Sequence, residues 1–545
     1  MKHQRLVFGL AFMTLFFAVL LPPEAYPDGK LAVILCATFA FFISVSEKQI
    51  QSSYLCGGLA LFGLLIAHSL FISVDAYRSF DFISVLWAYY CLFGFFFYAR
   101  FEALKPLAIT IVVLSAIVSG YGLYQYFWGF DQLYNYVFYA STNQLMKVPT
   151  LERIESARVF STLALPGTLW GFLTVALPFH LLLWRDNRWI KVALSFGIGM
   201  LLITGFLTRS FGFLVGLFVL AATWLLLRHR QLAWRLAPIV VILSLIGGSF
   251  YSMRKGGIAD ANPLVLRAKN WVSAWSIFAA HPMGAGLYNY GVVYSQHMLP
   301  GANETQYAHN TPLQLLSELG YPALIAGAIL FLLAVRAARR GEYRNTCPFL
   351  LMAVLVWFAH NLIDIDVYFP SVGVIGAALL AVLLRKPTVD PQPPPRIGAT
   401  AIVSLGVAVL AFSILAMVST ELQQRAQIEY DQNNLPTAAL TLEQAKALMP
   451  WNSSLFHDSG DINLALYHRR RNIRDLEVAT ASFKRAIQLS PDKVGPHIGL
   501  GLCLSTASHV QDALDEVRIA KRLQPDSSQV QAIARLLEKR LAASN

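Results

Sequence analysis

FISVLWAYYCLFGFFFY, residues 82–98, holds no charged side chain and is long enough as a helix to cross most of a roughly 30 Å hydrocarbon layer. Similar apolar blocks recur along the chain. Thirteen spans read at about 5–21, 31–45, 54–73, 82–98, 107–127, 168–184, 190–206, 210–227, 236–250, 314–335, 347–364, 369–384 and 399–418. The composition agrees: of 545 residues, 56% are hydrophobic and only 14% charged, against about 25% charged in a soluble globular domain. A disordered chain and an ordinary water-soluble enzyme are both excluded. The first block is expected to remain in place as a span, because Leu21-Pro22-Pro23-Glu24 offers no small-residue cleavage site. Cys36, Cys56, Cys91, Cys347 and Cys503 show no CxxC spacing, so neither a disulfide framework nor a zinc site is expected.

The basic residues orient the spans. With the N-terminus inside, the inner loops collect Lys48, Arg100, Lys105, Arg185, Arg188, Lys191, Arg228, Arg230, Arg235, Arg336, Arg339, Arg340, Arg344, Arg385, Lys386 and Arg396. The short outer loops hold only Lys30, Arg78 and Arg209, a positive-inside pattern. The net charge of +12 therefore suits an anionic lipid surface and not nucleic acid. Two outer segments, about 128–167 and 251–312, are too long to be simple connectors and are expected to be functional. The inner stretch KPTVDPQPPPR (386–396) reads as a stiff extended spacer.

At about Thr420 the composition turns polar and Ala-rich, dividing a membrane domain (1–419) from a tail (420–545). The tail repeats itself around Pro450, Pro491 and Pro525, each preceded by Ala (Ala445, Ala486, Ala520) and Leu (Leu448, Leu489, Leu523) at fixed offsets. Small Ala lets paired helices approach, and proline stops the second helix of each pair. The 34-residue step from Pro491 to Pro525 resembles that of tetratricopeptide repeats. The longer step before it accommodates HRRRNIRD (468–475), read as a solvated basic face. By the span count the tail lies outside, on the side of the two long loops.

Chemistry-bearing residues cluster on that same side. HPMGAGLYNYGVVYSQHMLPGANETQYAHNTPLQLLSELG (281–320) contains Gly284-Ala285-Gly286 and then His309-Asn310, Glu318 and Gly320. Upstream lie LVLRAKNWVSAW (264–275), LTRSFG (207–212) and ARVFSTLALPGTLWGFL (157–173). These elements, in this order, resemble the O-antigen ligase and polymerase superfamily of lipid-linked glycan transferases over about 150–385. In LTRSFG the order is Arg-Ser, where those enzymes more usually read Ser-Arg. The resemblance implies an all-α, polytopic, GT-C-like architecture of about 12–13 spans followed by a tetratricopeptide-like solenoid. It also implies a bacterial inner-membrane location with a cytoplasmic N-terminus and periplasmic repeats.

Arg158, Arg209 and Arg267 fall at or near membrane boundaries, where an arginine is costly unless it pairs. A guanidinium fork matches phosphate oxygens and stays charged, so three converging arginines suit a lipid-linked diphosphate. His309 is then the expected catalytic base for an acceptor hydroxyl. Each arginine also has a plainer reading as a headgroup anchor, and His309 as a buried hydrogen-bonding residue. Asn310 either orients His309 or caps the next helix. Glu318 is expected to be structural. His360 and Asp364, four apart, are expected to hydrogen-bond on one face in support of the site. Tyr290, Tyr294 and Trp271 either stack on sugar or belong to an interfacial belt. No metal and no cofactor are expected.

The expected activity is therefore transfer of a glycan from a polyprenyl diphosphate carrier to a hydroxyl on a glycan, on lipid A–core or on a protein, by an inverting route. Protein O-glycosylation is the alternative within this chemistry. A flippase for the same lipid, or a tethered assembly scaffold with a protein partner on its tail, are the alternatives outside it. Membrane lipids complete the expected partners.

Overall fold

A computed structural model describes residues 2–23, 26–47, 50–98, 103–140, 151, 153–184, 187–210, 212–228, 263–339, 348–385 and 396–544. Among them every regular element is helical. The expected span 236–250 and the proline-rich stretch 386–395 lie outside the described residues.

The first helices are α1 (Lys2–Leu20), α2 (Pro27–Ser46), α3 (Ser52–Phe71), α4 (Ala76–Tyr98), α5 (Leu104–Tyr124) and the short α6 (Phe130–Asn135). Then follow α7 (Pro166–Leu182), α8 (Arg188–Leu207) and α9 (Gly212–Arg228). A loop region holds α10 (Pro263–Ala280), α11 (Tyr290–His297) and α12 (Thr311–Leu319). After it come α13 (Tyr321–Arg339), α14 (Pro348–Asn361), α15 (Pro370–Leu384) and α16 (Arg396–Asp431). Six described helices are long and apolar enough to cross a membrane, and five shorter ones are equally apolar. The chain is a multi-pass membrane protein.

One continuous apolar core joins α1, α2, α4, α5, α7, α14 and α15. Lipid offers no hydrogen bonds, so several polar side chains in these helices find partners inside the bundle. Thr38, Ser44 and Thr174 bond back to Ile34, Ala40 and Trp170 carbonyls at 2.6, 2.9 and 2.6 Å. The Trp87 indole N–H donates to Thr38 Oγ1 at 2.9 Å.

Three expected spans are corrected. The stretch 314–335 is not one helix: Gly320 (φ 63°, ψ −145°) breaks it into α12 and α13, in a backbone region open essentially to glycine alone. The helix expected to end near 127 continues, through π-turns over 125–129 and 136–140, into what was read as loop. The span 399–418 is the first half of the 36-residue α16, so the compositional boundary at Thr420 falls inside an unbroken helix.

Beyond α16 the tail consists of α17 (Leu435–Leu448), α18 (Ser453–Arg470), α19 (Ile473–Leu489), α20 (Val494–Thr506), α21 (Val510–Leu523) and α22 (Ser528–Ser544). The end of α16 pairs with α17, α18 with α19 and α20 with α21, and Pro450, Pro491 and Pro525 follow the second helix of each pair. Ala438, Ala445, Ala479, Ala486, Ala513 and Ala520 are fully buried in these seams, where a larger side chain would hold the helices apart. Arg469, Arg470 and Arg471 of the basic insert are exposed at the end of α18, and Cys503 is a core residue beside Phe483.

The helix ends that matter for function meet at one end of the bundle. Thr162 Oγ1 donates to Val19 O at 2.8 Å, the Val159 amide to Leu207 O at 3.1 Å, and the Ser161 amide to Gln125 Oε1 at 2.9 Å. His68 meets Met283 O at 2.8 Å, and the Val74 amide donates to Ala285 O at 3.0 Å. The C-terminal ends of α1, α3, α5 and α8 are thereby stitched to the loops of 151–165 and 281–310.

Candidate functional site

A cavity of about 380 Å³ opens among these loops, and Arg153, Arg158, Arg209, Arg267, His309 and Asp364 all line it. The residues come from segments scattered over more than two hundred positions. Each is fixed by its own local chemistry.

Arg158 follows Ala157, whose φ of 49° turns the chain, and its Nε donates to Thr208 O at 3.2 Å. Arg209 sits in the tight turn between α8 and α9 with φ 47°, and its Nη1 donates to Ser156 O at 2.9 Å. His309 has φ 52°. Arg209 and His309 thus place two non-glycine residues in the left-handed region on the cavity wall, at roughly 1–2 kcal/mol each, and Ala157 adjoins it beside Arg158.

Arg267, on α10, reaches across to the end of α14. Its Nη1 donates to Ile363 O at 2.7 Å and its Nη2 to Asp364 Oδ2 at 3.4 Å. The other carboxylate oxygen of Asp364 lies 3.2 Å from His309 Nδ1. Asp364 is 5% exposed. Burial alone pushes its carboxyl up, but the Arg267 guanidinium and His309 outweigh burial and hold it well below the usual carboxylate range. With Nδ1 facing a carboxylate, the neutral imidazole keeps its proton there and leaves a lone pair on Nε2. That nitrogen makes no hydrogen bond among the described residues, and the His309 side chain is 27% exposed.

The backbone around His309 is held from three sides. Trp271 Nε1 donates to His309 O at 3.3 Å. Asn310 both caps α12, accepting from the Leu313 amide at 2.9 Å, and donates to Leu362 O at 2.7 Å. The Thr311 amide donates to Asp364 O at 3.1 Å. Asn310 thus caps the helix and ties the His309 loop to the Asp364 loop at once.

Several expected supporting residues do other work. Glu318 is fully buried away from the cavity, accepting from the Tyr288 and Tyr290 amides (2.7 and 3.2 Å), Gln314 Nε2 (3.1 Å) and the Tyr368 hydroxyl (2.7 Å). Burial outweighs these four donors and raises its carboxyl to about 7. Gly284 and Gly286, both at positive φ, form a strap against the end of α12, with the Ala285 and Gly286 amides donating to Ser317 and Glu318 carbonyls. The expected His360–Asp364 hydrogen bond is replaced: His360 Nδ1 pairs with Asp366 at 2.7 Å, because the chain turns after Asn361 and carries Asp364 out to the cavity. Tyr290 and Tyr294 are buried on Asn270 and Trp271 is not among the lining residues, so the stacking reading of these three is withdrawn.

Arg153, Asn270 and Asn303 line the cavity without having been singled out from sequence. Asn270 follows Arg267 by three residues, one helical turn along the same face, which is a signal the sequence does carry. With four arginines and one carboxylate among its lining side chains, the cavity carries an excess of positive charge, the electrostatic setting that suits an anion.

Fold and cavity together define a multi-pass membrane protein whose helix-end loops enclose a cationic cavity. Residues 196–326, about a quarter of the chain, match the family model described as O-antigen ligase. The match includes Arg209, Arg267 and His309 and ends before Asp364. No curated protein matches the chain. Among solved structures, the chain is similar to the first tetratricopeptide domain of Spaghetti (RPAP3) bound to an HSP90 peptide, at 15% identity and a TM-score of 0.21, covering 23% of this chain and 95% of that one. So low a score adds nothing to the helix pairing described above.

Proposed function

We propose that the cavity binds the diphosphate of a polyprenyl-linked glycan and that the chain transfers this glycan to a hydroxyl of a second glycan, as a surface-polysaccharide polymerase or an O-antigen ligase does. The reaction runs at the periplasmic face of the inner membrane. The observation that carries this reading is the meeting of Arg158, Arg209, Arg267 and His309 on one cavity, with Asp364 bridging His309 and Arg267.

The acceptor oxygen attacks the anomeric carbon from the side opposite the diphosphate, the carbon–oxygen bond to the diphosphate breaks, and the configuration inverts. The acceptor proton passes to His309 Nε2, a step worth roughly 10²–10⁴-fold. The bond's electron pair leaves on the diphosphate, whose growing charge is met by guanidinium groups already in position, which makes them effective without reorganisation. Asp364 keeps His309 in the accepting tautomer and stabilises the imidazolium that forms. The arginines meet the charge that a divalent cation meets in other diphosphate chemistry, so the reaction is expected to proceed with chelator present.

The test is incubation of purified protein with polyprenyl-diphosphate glycan and candidate acceptors in chelator, followed by product analysis. Elongated or ligated glycan with free polyprenyl diphosphate supports the proposal. Movement of intact lipid across vesicles without any new glycosidic bond would instead indicate a transporter.

A further inference from the structure

A second cavity, of about 560 Å³, lies where the tail meets the membrane helices. Its walls are the start of α2, the start of α4, the middle of α16 and the first turns of α18, with Lys493 reaching in from the tail. Neither the proposed reaction nor the matched family segment uses it.

Its chemistry differs from that of the first cavity. Two of its three cations are paired within the protein, Lys30 with Asp81 and Lys493 with the buried Asp75 at 2.8 Å, and only Arg78 has no carboxylate partner for its side chain among the described residues. Arg78 donates to Gln306 Oε1 at 2.9 Å and lies over the Tyr288 ring at 5.3 Å. What remains beside them is a mixture of neutral donors and acceptors, including the Asn452 amide, the Ser454 hydroxyl and the exposed Gln424, which makes no hydrogen bond among the described residues. Leu31 and Met417 add apolar surface. A phosphate needs an excess of positive charge. Sugar hydroxyls need paired planar donors and acceptors, and sugar C–H faces need apolar contact.

We propose that this cavity is a carbohydrate subsite, formed jointly by tail and membrane domain, that holds a neutral stretch of glycan. The assignment rests on the glycan-transfer reading for the identity of its ligand. It gives the tail a direct role, since Asn452, Ser454 and Lys493 supply one wall. It also links the subsite to His309, because Gln306, the partner of Arg78, lies three residues before that histidine in the same loop.

The test uses the full chain in phosphatidylcholine nanodiscs, with oligosaccharide released by mild acid from the producing cell's own polyprenyl-diphosphate lipids as probe and saturation-transfer NMR as readout. Gln424→Trp fills the cavity from an exposed position, and Asp81→Asn removes the carboxylate with little change of shape. Both are expected to weaken oligosaccharide binding by about tenfold or more, the equivalent of one or two lost hydrogen bonds to a charged group, with thermal unfolding unchanged. His309→Ala is expected to bind as tightly as the parent while losing transfer. Binding unaffected by Gln424→Trp and Asp81→Asn but lost in Arg158→Ala overturns the subsite while leaving the transferase reading intact. Absence of binding to the parent also overturns it, and the transfer assay on the same preparation judges the other reading separately. The sign of Asp81→Asn separates ligand classes. If that variant strengthens binding of phosphatidylglycerol added to the nanodiscs and leaves the oligosaccharide untouched, the cavity holds an anionic lipid and the assignment fails.

Discussion

Asp364 Oδ1 stands 3.2 Å from His309 Nδ1, although 55 residues separate them in the chain. The pairing exists because α14 ends at Asn361 and the following turn delivers Asp364 to the loop that precedes α12. Its second oxygen engages Arg267, so one buried carboxylate contacts both the proposed base and an arginine proposed to bind diphosphate.

Replacing that carboxylate by its amide tests the coupling. Asp364→Asn keeps the volume but leaves His309 free to adopt either tautomer, so kcat is expected to fall by about 10²-fold or more. KM for the lipid donor should change far less, and steady-state transfer kinetics separate the two. A raised KM with kcat unchanged would mean that Asp364 acts on donor binding alone.

Arg267→Lys is expected to behave almost as badly as Arg267→Ala. A lysine retains the charge but cannot reach Ile363 O, Asp364 and a phosphate with one planar group. Loss of one charge-assisted pair corresponds to about 1.5–3 kcal/mol, or roughly ten- to a hundredfold weaker donor binding, read by titration with polyprenyl diphosphate.

Gly167 lies against the same carboxylate. A Cβ built there falls 2.6 Å from Asp364 Oδ2, so Gly167→Ala must displace the carboxylate from Arg267 or His309. Transfer is expected to drop about tenfold or more with little change in thermal stability, since the position is at the start of α7 and alanine is a better helix former than glycine. Full activity in this variant would show that the Asp364 geometry is not needed.

Glu318 gives a pH signature in stability. Its folded value of about 7 lies above the ordinary 4.5, so the protonated form is favoured by folding. Its contribution is therefore complete below about pH 4.5 and declines as pH rises to about 7. Glu318→Gln is expected to flatten this part of the thermal-unfolding profile. It also sets its amide N–H₂ against one of the two backbone donors, Tyr288 or Tyr290, at about 1–3 kcal/mol of stability.

The tail is held by the Lys493–Asp75 pair, in which Asp75 is 2% exposed. Lys493→Ala leaves a buried carboxylate without its cation and is expected to destabilise docking by about 3–5 kcal/mol. Limited proteolysis between α16 and α22 should accelerate. The double variant Asp75→Asn/Lys493→Met should recover much of the loss.

Much of this architecture is legible in the sequence because lipid leaves few options: an uncharged apolar block must be a helix. The tail is legible for a different reason, since Ala445, Ala486 and Ala520 repeat at seams that only small residues fit. Residues near helix ends are harder. Gly320 with Pro322 two residues on is a local stop signal masked by the unbroken apolar run around it, whereas nothing local announces that α16 continues past the polar turn at Thr420. In the site, arginines at span boundaries are conspicuous because they are costly there. The partner of His309 is less so: His360 and Asp364 match helical spacing, but the helix ends between them and the pairing passes to Asp366. Asn270 is legible once Arg267 is chosen, one helical turn before it, whereas Arg153 joins the cavity through long-range packing.

Single-turnover transfer from polyprenyl-diphosphate glycan by the parent protein and by His309→Ala, in chelator, tests the central claim most directly. The account expects the parent to release polyprenyl diphosphate with formation of an inverted glycosidic bond, and His309→Ala to bind the donor normally while forming product at least about 10²-fold more slowly. Product formation at the parental rate by His309→Ala would contradict it.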